Sequence, residues 1–360
     1  MSRQRPRLHF AVLFVIALLV AGLIGGVPGT AAIDLADYTQ ARIGGPDAQN
    51  TYTNLYDVND AGTVVGDITD NNGIVEAFRK TSGGSIEMLG LPPTMDASTA
   101  SAVNASEQIV GYMGLVAPSN DTRAFLWPPL DPADVLTDLG LLPGYTSGFA
   151  SDINDAGQVV GYDTDALYVR QAFIWSQAGG LRAIPNDLGG TYSAATGINE
   201  AGQVVGYATD ADDTFFGFIW TEAGGMVSLG TLPGGSYSVA SAINEAGQVV
   251  GAADNSSGQT RAFLWSAATG MVDLGALPSD YVIVEVKAIN DLGQVVGYGY
   301  SETTLETHAF SWFPGVGFVD FGAFGGRIGN ANGVNNRGQV VIYTNANVGG
   351  PDRNRGLLLT

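Results

Sequence analysis

The chain has 360 residues, of which 15 are basic and 35 acidic, and its formal net charge is −20. This acidic balance argues against binding to nucleic-acid phosphates or to anionic lipid. It contains no cysteine, which excludes disulfides, thiolate metal sites and cysteine nucleophiles. The fold must therefore be stabilised by its apolar core, and the chain is long enough to bury one.

The first 32 residues have the composition of a secretory signal. Three arginines within the first seven residues precede an apolar run that ends near Val27, and small residues lead to a cleavage site before Ile33. The run is also long enough to remain as an uncleaved membrane anchor. We expect cleavage, which places the protein outside the cell, at the cell surface or in the periplasm. Residues 33–360 are then a single domain with 12 basic and 35 acidic residues and a net charge of −23.

One short phrase recurs seven times along the remaining chain. Its clearest form is I-N-E-A-G-Q-V-V-G, which begins at Ile198 and again at Ile243. The asparagines that mark the copies are Asn59, Asn104, Asn154, Asn199, Asn244, Asn290 and Asn335. Their spacings are 45, 50, 45, 45, 46 and 45 residues. A near-constant period of this length predicts a repeat architecture.

Each copy contains four short apolar segments bounded by Gly, Pro, Asn and Ser. In the copy around Asn244 they cover residues 238–243, 248–251, 261–265 and 271–275. Asn244 suits the start of the first turn because its side chain can bond the backbone, and Gly247 accepts positive φ at the turn exit. Short β-branched and aromatic runs of this kind predict strands. Four antiparallel strands in about 45 residues are typical of one propeller blade.

The repeats therefore predict an all-β fold, a seven-bladed β-propeller of four-stranded antiparallel blades. One repeat position in the third strand collects every tryptophan of the chain, and we expect these side chains to fill the wedge between blades: Trp127, Trp175, Trp220, Trp265 and Trp312. Lys80 and Leu359 occupy that position in the first and last copies. The last copy lacks a fourth strand, and residues 33–36 resemble one. The sequence thus predicts that an N-terminal strand joins the C-terminal blade and removes the exposed sheet edges.

The repeat words resemble a known family. I-N-D-A-G-Q-V-V-G at Ile153, H-A-F-S-W at His308 and L-G-T-L-P-G-G-S-Y-S at Leu229 are similar to the extracellular repeats of the HAF family. The resemblance covers roughly residues 56–343 and implies a bacterial secreted or surface protein. It implies no catalytic residues. The histidine of the H-A-F word is present only at His308, and other copies place these residues there: Arg123, Gln171, Gly217, Arg261 and Arg355.

Two sets of residues are candidates for ligand binding. One tyrosine stands in the connection between blades in four copies, and exposed rings there could stack on sugars or on apolar peptide: Tyr145, Tyr192, Tyr237 and Tyr281. Departures from the small residues of the first strand are the second set: Tyr56, Asp152, Glu285 and Lys287. Glu285 and Lys287 share a strand face, so an ion pair is the alternative. The tyrosines that end the second strand are expected to be packing residues: Tyr112, Tyr162, Tyr207 and Tyr298.

Acidic residues cluster where the second strand leads into the third. Carboxylates gathered on one face could bind calcium, which takes six to eight oxygen ligands, and the candidates are Asp163, Asp165, Asp210, Asp212 and Asp213. The alternative is ordinary solvated loop charge. No other cofactor is expected.

The sequence favours a non-catalytic binding module over an enzyme. The expected partner is an extracellular glycan or a surface protein, and the expected state is a monomer. Beyond residue 32 a Ser-His-Asp triad could form only around His308, the one histidine there. The alternatives are a polysaccharide lyase or hydrolase on the propeller scaffold, and a purely structural extracellular spacer.

Overall fold

The computed structural model describes residues 39–43, 52–115, 121–128, 136–277, 281–345 and 355–360. The chain divides into residues 1–34 and residues 35–360, and the described residues all belong to the second part. The predicted signal and the predicted closing strand at 33–36 lie outside them. Within the described residues, no helix is long and apolar enough to cross a membrane.

The described residues form seven four-stranded antiparallel sheets, one for each sequence repeat. The strand β1 (Gln40–Ile43) belongs to the last of them. Blade 1 contains β2 (Tyr52–Val58), β3 (Val64–Thr69), β4 (Val75–Lys80) and β5 (Ile86–Met88). Blade 2 contains β6 (Met95–Val103), β7 (Ile109–Leu115), β8 (Thr122–Trp127) and β9 (Thr137–Asp138). Blade 3 contains β10 (Ser147–Ile153), β11 (Val159–Thr164), β12 (Arg170–Ser176) and β13 (Gly180–Ala183).

The second half of the ring repeats this order. Blade 4 contains β14 (Gly189–Ile198), β15 (Val204–Asp210), β16 (Phe215–Thr221) and β17 (Gly225–Ser228). Blade 5 contains β18 (Ser238–Ile243), β19 (Val249–Asp254), β20 (Thr260–Ser266) and β21 (Gly270–Asp273). Blade 6 contains β22 (Tyr281–Ile289), β23 (Val295–Ser301), β24 (Glu306–Phe313) and β25 (Gly317–Gly322). Blade 7 contains β26 (Gly329–Val334), β27 (Val340–Thr344), β28 (Arg355–Leu359) and β1.

The blades are arranged in a closed ring. The first strand of each blade contacts the first strands of both neighbours, and β26 of blade 7 contacts β2 of blade 1. The predicted seven-bladed β-propeller is therefore confirmed, with the first strands innermost around a central channel. Antiparallel order gives the ring two faces. We call the face with the first-to-second-strand turns the turn face, and the face with the second-to-third-strand loops and the connections between blades the loop face.

Blade 7 is closed as predicted, by one N-terminal strand added to three C-terminal strands. The described closing strand is β1, which pairs with β28 from Gln40 opposite Leu359 to Ile43 opposite Gly356. It begins after the predicted segment 33–36. A closing strand is held by backbone hydrogen bonds, including those between Thr39 and Thr360, so its side chains need not copy the sequence of the other fourth strands.

Seven apolar clusters form the core, and each lies between two adjacent blades. The cluster between blades 1 and 2 contains Val65 and Ala77 from one blade and Phe125 and Trp127 from the other. All five tryptophans lie in such clusters, which confirms that they fill the wedges between blades. Register also confirms that Lys80 and Leu359 hold the tryptophan position.

The seven repeat asparagines form a closed hydrogen-bonded ring on the turn face. Each side-chain Nδ2 donates to the backbone carbonyl of the asparagine in the next blade, at 2.8–3.2 Å. Asn335 donates to Asn59 and closes the circle. Each Oδ1 also accepts the N–H of the residue four positions later, which holds the turn. The side chains are buried, so each asparagine satisfies polar groups of two blades in a water-poor site.

A second set of bonds lies beside the asparagine ring. The backbone N–H of the residue after the asparagine donates to the side chain of its counterpart in the next blade: Ala105 to Asp155, Asp155 to Glu200, Glu200 to Glu245, Glu245 to Asp291, Asp291 to Asn336, and Asn336 to Asp60. Burial, followed by the neighbouring carboxylates, raises the pKa of Glu245. These acids therefore bond backbone N–H groups between blades on the turn face.

Candidate functional site

Tyrosines occupy one position of the second strand in five blades, at the end of the channel nearer the loop face. These residues stand two positions after the Val-Val or Ile-Val pair of the repeat, and they are Tyr112, Tyr162, Tyr207, Tyr298 and Tyr343. Blades 1 and 5 have Asp67 and Ala252 there instead. All five rings are half-buried. Part of each residue is accessible to solvent, and the expectation that four of them are packing residues stays a prediction.

The rings of blades 2 and 3 form a continuous stack. Tyr112 meets Phe149 edge to face at 5.1 Å between ring centroids, and Phe149 lies parallel to Tyr162, also at 5.1 Å. Phe149 comes from the first strand of blade 3, directly opposite Tyr162 in register. Contacts of this geometry are favourable beyond the area that they bury. They fix the orientation of the exposed ring faces.

Arg170 continues the stack into blade 4. Its guanidinium lies 4.3 Å from the centroid of Tyr162 and 5.7 Å from that of Tyr192, and its Nη1 donates to the hydroxyl of Tyr207 at 2.7 Å. Tyr192 stacks on Tyr207 at 6.2 Å, and Phe215 meets Tyr192 edge to face at 5.3 Å. A half-buried cation is thus held by rings from two blades.

Blade 1 contributes a polar group in place of the second-strand tyrosine. The carboxylate of Asp67 is buried and accepts hydrogen bonds from Asn54 at 2.8 Å, from Thr99 at 3.3 Å and from the hydroxyl of Tyr56. Burial raises the pKa of Asp67, and the three donors oppose that rise. Tyr56 stands at a β-bulge of the first strand, which turns its side chain relative to its neighbours. The predicted departure at Tyr56 thus bonds the polar group of blade 1, and its role in ligand binding stays a prediction.

Blade 6 places a charged pair at the same level. Lys287 Nζ lies 2.8 Å from Glu285 Oε2 and 5.5 Å from the ring of Tyr298. The hydroxyl of Tyr298 donates to Glu285. Burial raises the pKa of Tyr298, and Tyr343 is among the groups that add to the rise. The alternative reading of Glu285 and Lys287 as an ion pair is confirmed, and both side chains are exposed.

We call the following set the tyrosine arc: Tyr56, Tyr112, Tyr162, Tyr192, Tyr207, Tyr298 and Tyr343. Burial raises the pKa of most of these phenols, to about 12 for Tyr192. Tyr112 and Tyr343 add to the raised pKa of Tyr56, and Tyr207 and Tyr112 add to that of Tyr162. The hydroxyls are therefore close enough to influence one another. Phenols with a raised pKa stay protonated at neutral pH. They serve as neutral hydrogen-bonding groups, and a tyrosinate base is disfavoured.

The four predicted inter-blade tyrosines do not behave alike. Tyr192 belongs to the arc. Tyr145 packs against the core between blades 2 and 3, and burial raises the pKa of its phenol. The hydroxyl of Tyr237 lies 2.9 Å from Thr260 Oγ1 of its own blade. The side chain of Tyr281 lies outside the described residues, although its backbone pairs with Ser301.

The carboxylate of Asp152 connects blades 3 and 4 by hydrogen bonds. It accepts the N–H of Ile153 at 2.8 Å and the N–H of Ile198 in blade 4 at 2.9 Å. Asp57 bonds Val58 and Val103 in the same way between blades 1 and 2. Burial raises the pKa of Asp152 to about 7, and the charge of Asp57 adds to this. Both carboxylate oxygens of Asp152 are thus used within the fold.

Among the described residues, no group of three acidic or histidine side chains is arranged to hold a metal ion. Asp165 Oδ1 accepts the N–H groups of Leu167 and Val169, and Asp210 Oδ1 accepts those of Asp212 and Thr214, so both hold their own loops. The other two candidates in this loop, Asp212 and Asp213, are exposed. Calcium binding stays a prediction.

Asp163 is a different case, because its side chain is fully buried. Its Oδ2 accepts the N–H of Leu142 at 2.6 Å, and its Oδ1 has no hydrogen-bond partner. Burial raises the pKa of this carboxyl to about 6, Arg123 opposes the rise and Asp138 adds to it. Asp163 therefore fixes the connection into blade 3 at an energetic cost.

His308 pairs with the fourth strand of its own blade. Its Nδ1 lies 3.0 Å from Asp320 Oδ2, just as Arg261 lies 3.2 Å from Asp273 in blade 5.

The strand register also corrects the residue that was aligned with His308 in blade 4. Gly217 pairs with Tyr207 and so holds the alanine position of the word, as Ala309 does opposite Tyr298. Phe216 is therefore the residue that corresponds to the histidine in blade 4.

Comparisons with known proteins agree on the fold. No protein-family model and no curated protein matches the sequence. Similar solved structures include a puromycin hydrolase, with 14% identity over 82% of this chain and 50% of that one and a TM-score of 0.56. The virginiamycin B lyase from Staphylococcus aureus has 10% identity over 90% and 99% of the two chains and a TM-score of 0.53. The lectin BP39L from Burkholderia pseudomallei has 11% identity over 83% and 92% and a TM-score of 0.50. This chain spans about half the length of the puromycin hydrolase, and these likenesses show a propeller scaffold alone.

Proposed function

We propose that this protein is an exported, non-catalytic module that binds a glycan on its tyrosine arc. The observation that carries the proposal is the set of half-buried rings and neutral hydroxyls drawn from blades 1, 2, 3, 4, 6 and 7 around one end of the channel. Aromatic faces stack on the apolar faces of sugar rings, and hydroxyls and carboxylates bond sugar hydroxyls. Rigid strands hold these groups in place before a ligand arrives, which lowers the entropic cost of binding.

Other features support export and a binding role. The N-terminal segment has the order of a secretory signal, and the repeat words resemble those of a family of extracellular repeats. The net charge of −20 suits solubility outside the cell. Burial raises the pKa of five arc phenols, and this disfavours the tyrosinate that a lyase would use as its base: Tyr56, Tyr162, Tyr192, Tyr298 and Tyr343. Glycan binding therefore accounts for more of the arc than catalysis does.

The proposal is tested with a broad glycan array and two variants of the arc. Tyr162→Ala and Tyr207→Ala each remove one ring of the stack, and we expect each to weaken retention of the selected glycan about tenfold. Tyr162→Phe keeps the stacking face and should retain most of the binding. The matched control is Tyr237→Ala, which removes a half-buried tyrosine of the loop face that bonds Thr260 and lies outside the arc.

Thermal midpoints of all four variants establish that each one is folded. Equal binding by wild type and both arc variants would place the site elsewhere. If the wild-type protein retains no glycan, glycan binding is wrong, and capture of a surface protein or a spacer role takes its place. New reducing ends or unsaturated products from a retained polysaccharide would indicate a hydrolase or a lyase.

A further inference from the structure

Arg170 differs from most other arginines of the fold in its partners. Arg79, Arg123, Arg182 and Arg261 each lie within 4 Å of a carboxylate. In the part of the chain that the structure describes, no carboxylate pairs with Arg170, Arg327 or Arg337. Arg327 and Arg337 are exposed to solvent, whereas Arg170 is half-buried against aromatic rings. This is notable in a protein with 35 acidic and 15 basic residues. An arginine held in place and left without a counter-charge indicates a place for an external anion.

The tyrosine arc fixes this guanidinium without satisfying it. Tyr162 covers one planar face at 4.3 Å, and the Tyr207 hydroxyl takes one N–H of Nη1. No acceptor among the described residues bonds the Nε or Nη2 donors. Arginine presents its donors as a planar fork that matches the two oxygens of a carboxylate. The ring of Tyr192 lies 5.7 Å from the same guanidinium.

We propose that the glycan bound on the arc carries a carboxylate, as a uronate residue does, and that Arg170 binds that group. This inference rests on the proposed glycan function and names its ligand class. The acidic surface opposes the approach of a polyanion, but screening limits that repulsion to about 8 Å at physiological ionic strength. The contact with Arg170 is short-range, and its rigid aromatic support means that little side-chain entropy is lost on binding.

The test uses acidic oligosaccharides in matched pairs. Galacturonate, mannuronate and hyaluronan hexasaccharides are compared with their carboxyl methyl esters, which keep the sugar rings and remove the charge. We expect the wild-type protein to prefer the acid of at least one pair by about tenfold, measured by isothermal titration calorimetry. Arg170→Met should lose that preference and still bind the ester. Arg170→Lys, which keeps the charge without the fork, should retain part of it.

The matched control is Arg182→Met, which removes an exposed arginine that pairs with Glu222 away from the arc. It should leave both affinities unchanged, and thermal midpoints show whether each variant is folded.

Equal wild-type affinity for acid and ester overturns this inference and leaves glycan binding intact. A preference that survives in Arg170→Met overturns the role of Arg170. Failure to bind either member of every pair, together with failure on the broad array, overturns the glycan function itself.

Discussion

The two ends of the propeller channel differ in how uniform the repeat is: one residue type recurs in all seven blades at the turn face, and the residue type varies toward the loop face. At the turn face all seven blades contribute the same asparagine and the same hydrogen bond to the next blade. Toward the loop face the equivalent second-strand position contains five tyrosines, one aspartate and one alanine. A repeat stays uniform where every copy performs the same structural task. It varies where the copies together shape one site, and this difference directs attention to the tyrosine arc.

The largest effect on stability is expected from a substitution in the asparagine ring of the turn face. Asn199→Ala removes the bond to Asn244 and the acceptor of the Gln203 N–H, and it leaves buried polar groups unpaired. We expect a loss of about 3 kcal/mol in the free energy of unfolding, measured in urea, because each unsatisfied buried group costs about 1–3 kcal/mol. Glycan retention by the folded fraction should not change.

The chain offers a matched control for this variant. Asn255 begins a turn of the same pattern, N-x-x-G-Q, in the exposed loop of blade 5, and its Oδ1 accepts the N–H groups of Ser257 and Gln259. It makes no bond to another blade among those described. Asn255→Ala should therefore cost less than about 1 kcal/mol. Equal losses for the two variants would mean that the turn, and not the ring between blades, stabilises the fold.

A smaller effect, with a distinct pH dependence, is expected at Asp163. Because its folded pKa, about 6, lies above that of an unfolded aspartate, the proton binds the folded state more tightly. Its contribution to stability is complete at low pH and is lost as the pH rises through about 6. Asp163→Asn should raise the free energy of unfolding by about 1 kcal/mol at pH 8, allowing for solvent screening, and by about half as much at pH 5, which lies between the unfolded and folded pKa values.

The control is Asp165→Asn, because an amide oxygen can still accept the N–H groups of Leu167 and Val169 in that exposed loop. Its stability should change by less than about 0.5 kcal/mol at either pH. A uniform shift of Asp163→Asn at both pH values would argue against an ionised buried carboxyl as the source of the cost.

The smallest effect is expected from adding a tyrosine to the tyrosine arc in blade 5. Ala252 is the one small residue at the tyrosine position, and it pairs with Ala262 as Tyr162 pairs with Ala172. Ala252→Tyr would add a ring in blade 5, and we expect glycan affinity to rise about threefold in titration calorimetry. Unchanged affinity in a folded variant would confine the ligand to the other blades.

The sequence predicted what the repeats share. The asparagine turns, the tryptophan wedges and the closure of blade 7 follow from residue types at a fixed period. The partner of each asparagine Nδ2 lies in the next blade, 45–50 residues away for six of them and 276 residues away for Asn335, and no local pattern marks it. The closing strand was placed too early because backbone pairing with β28 constrains its side chains weakly.

The candidate site was predicted only in part. Tyr56 and Tyr192 were identified from their positions, but the second-strand tyrosines were assigned to packing. The sequence does mark this position, because the V-V-G-Y word recurs and its tyrosine is replaced by Asp67 and Ala252 in two copies. Arg170 could not be identified in advance, because its role depends on Tyr162 in its own blade and on Tyr192 and Tyr207 in the next.

The bond from Asn335 to Asn59 has a consequence for how such a protein can evolve. In an open solenoid a duplicated repeat simply lengthens the array, because each unit contacts only its neighbours. Here the first and last blades must meet at the same angle as every other pair. Gain or loss of one 45-residue unit would change all seven angles together, so the number of copies is fixed by geometry, and new specificity must come from substitutions within the existing blades.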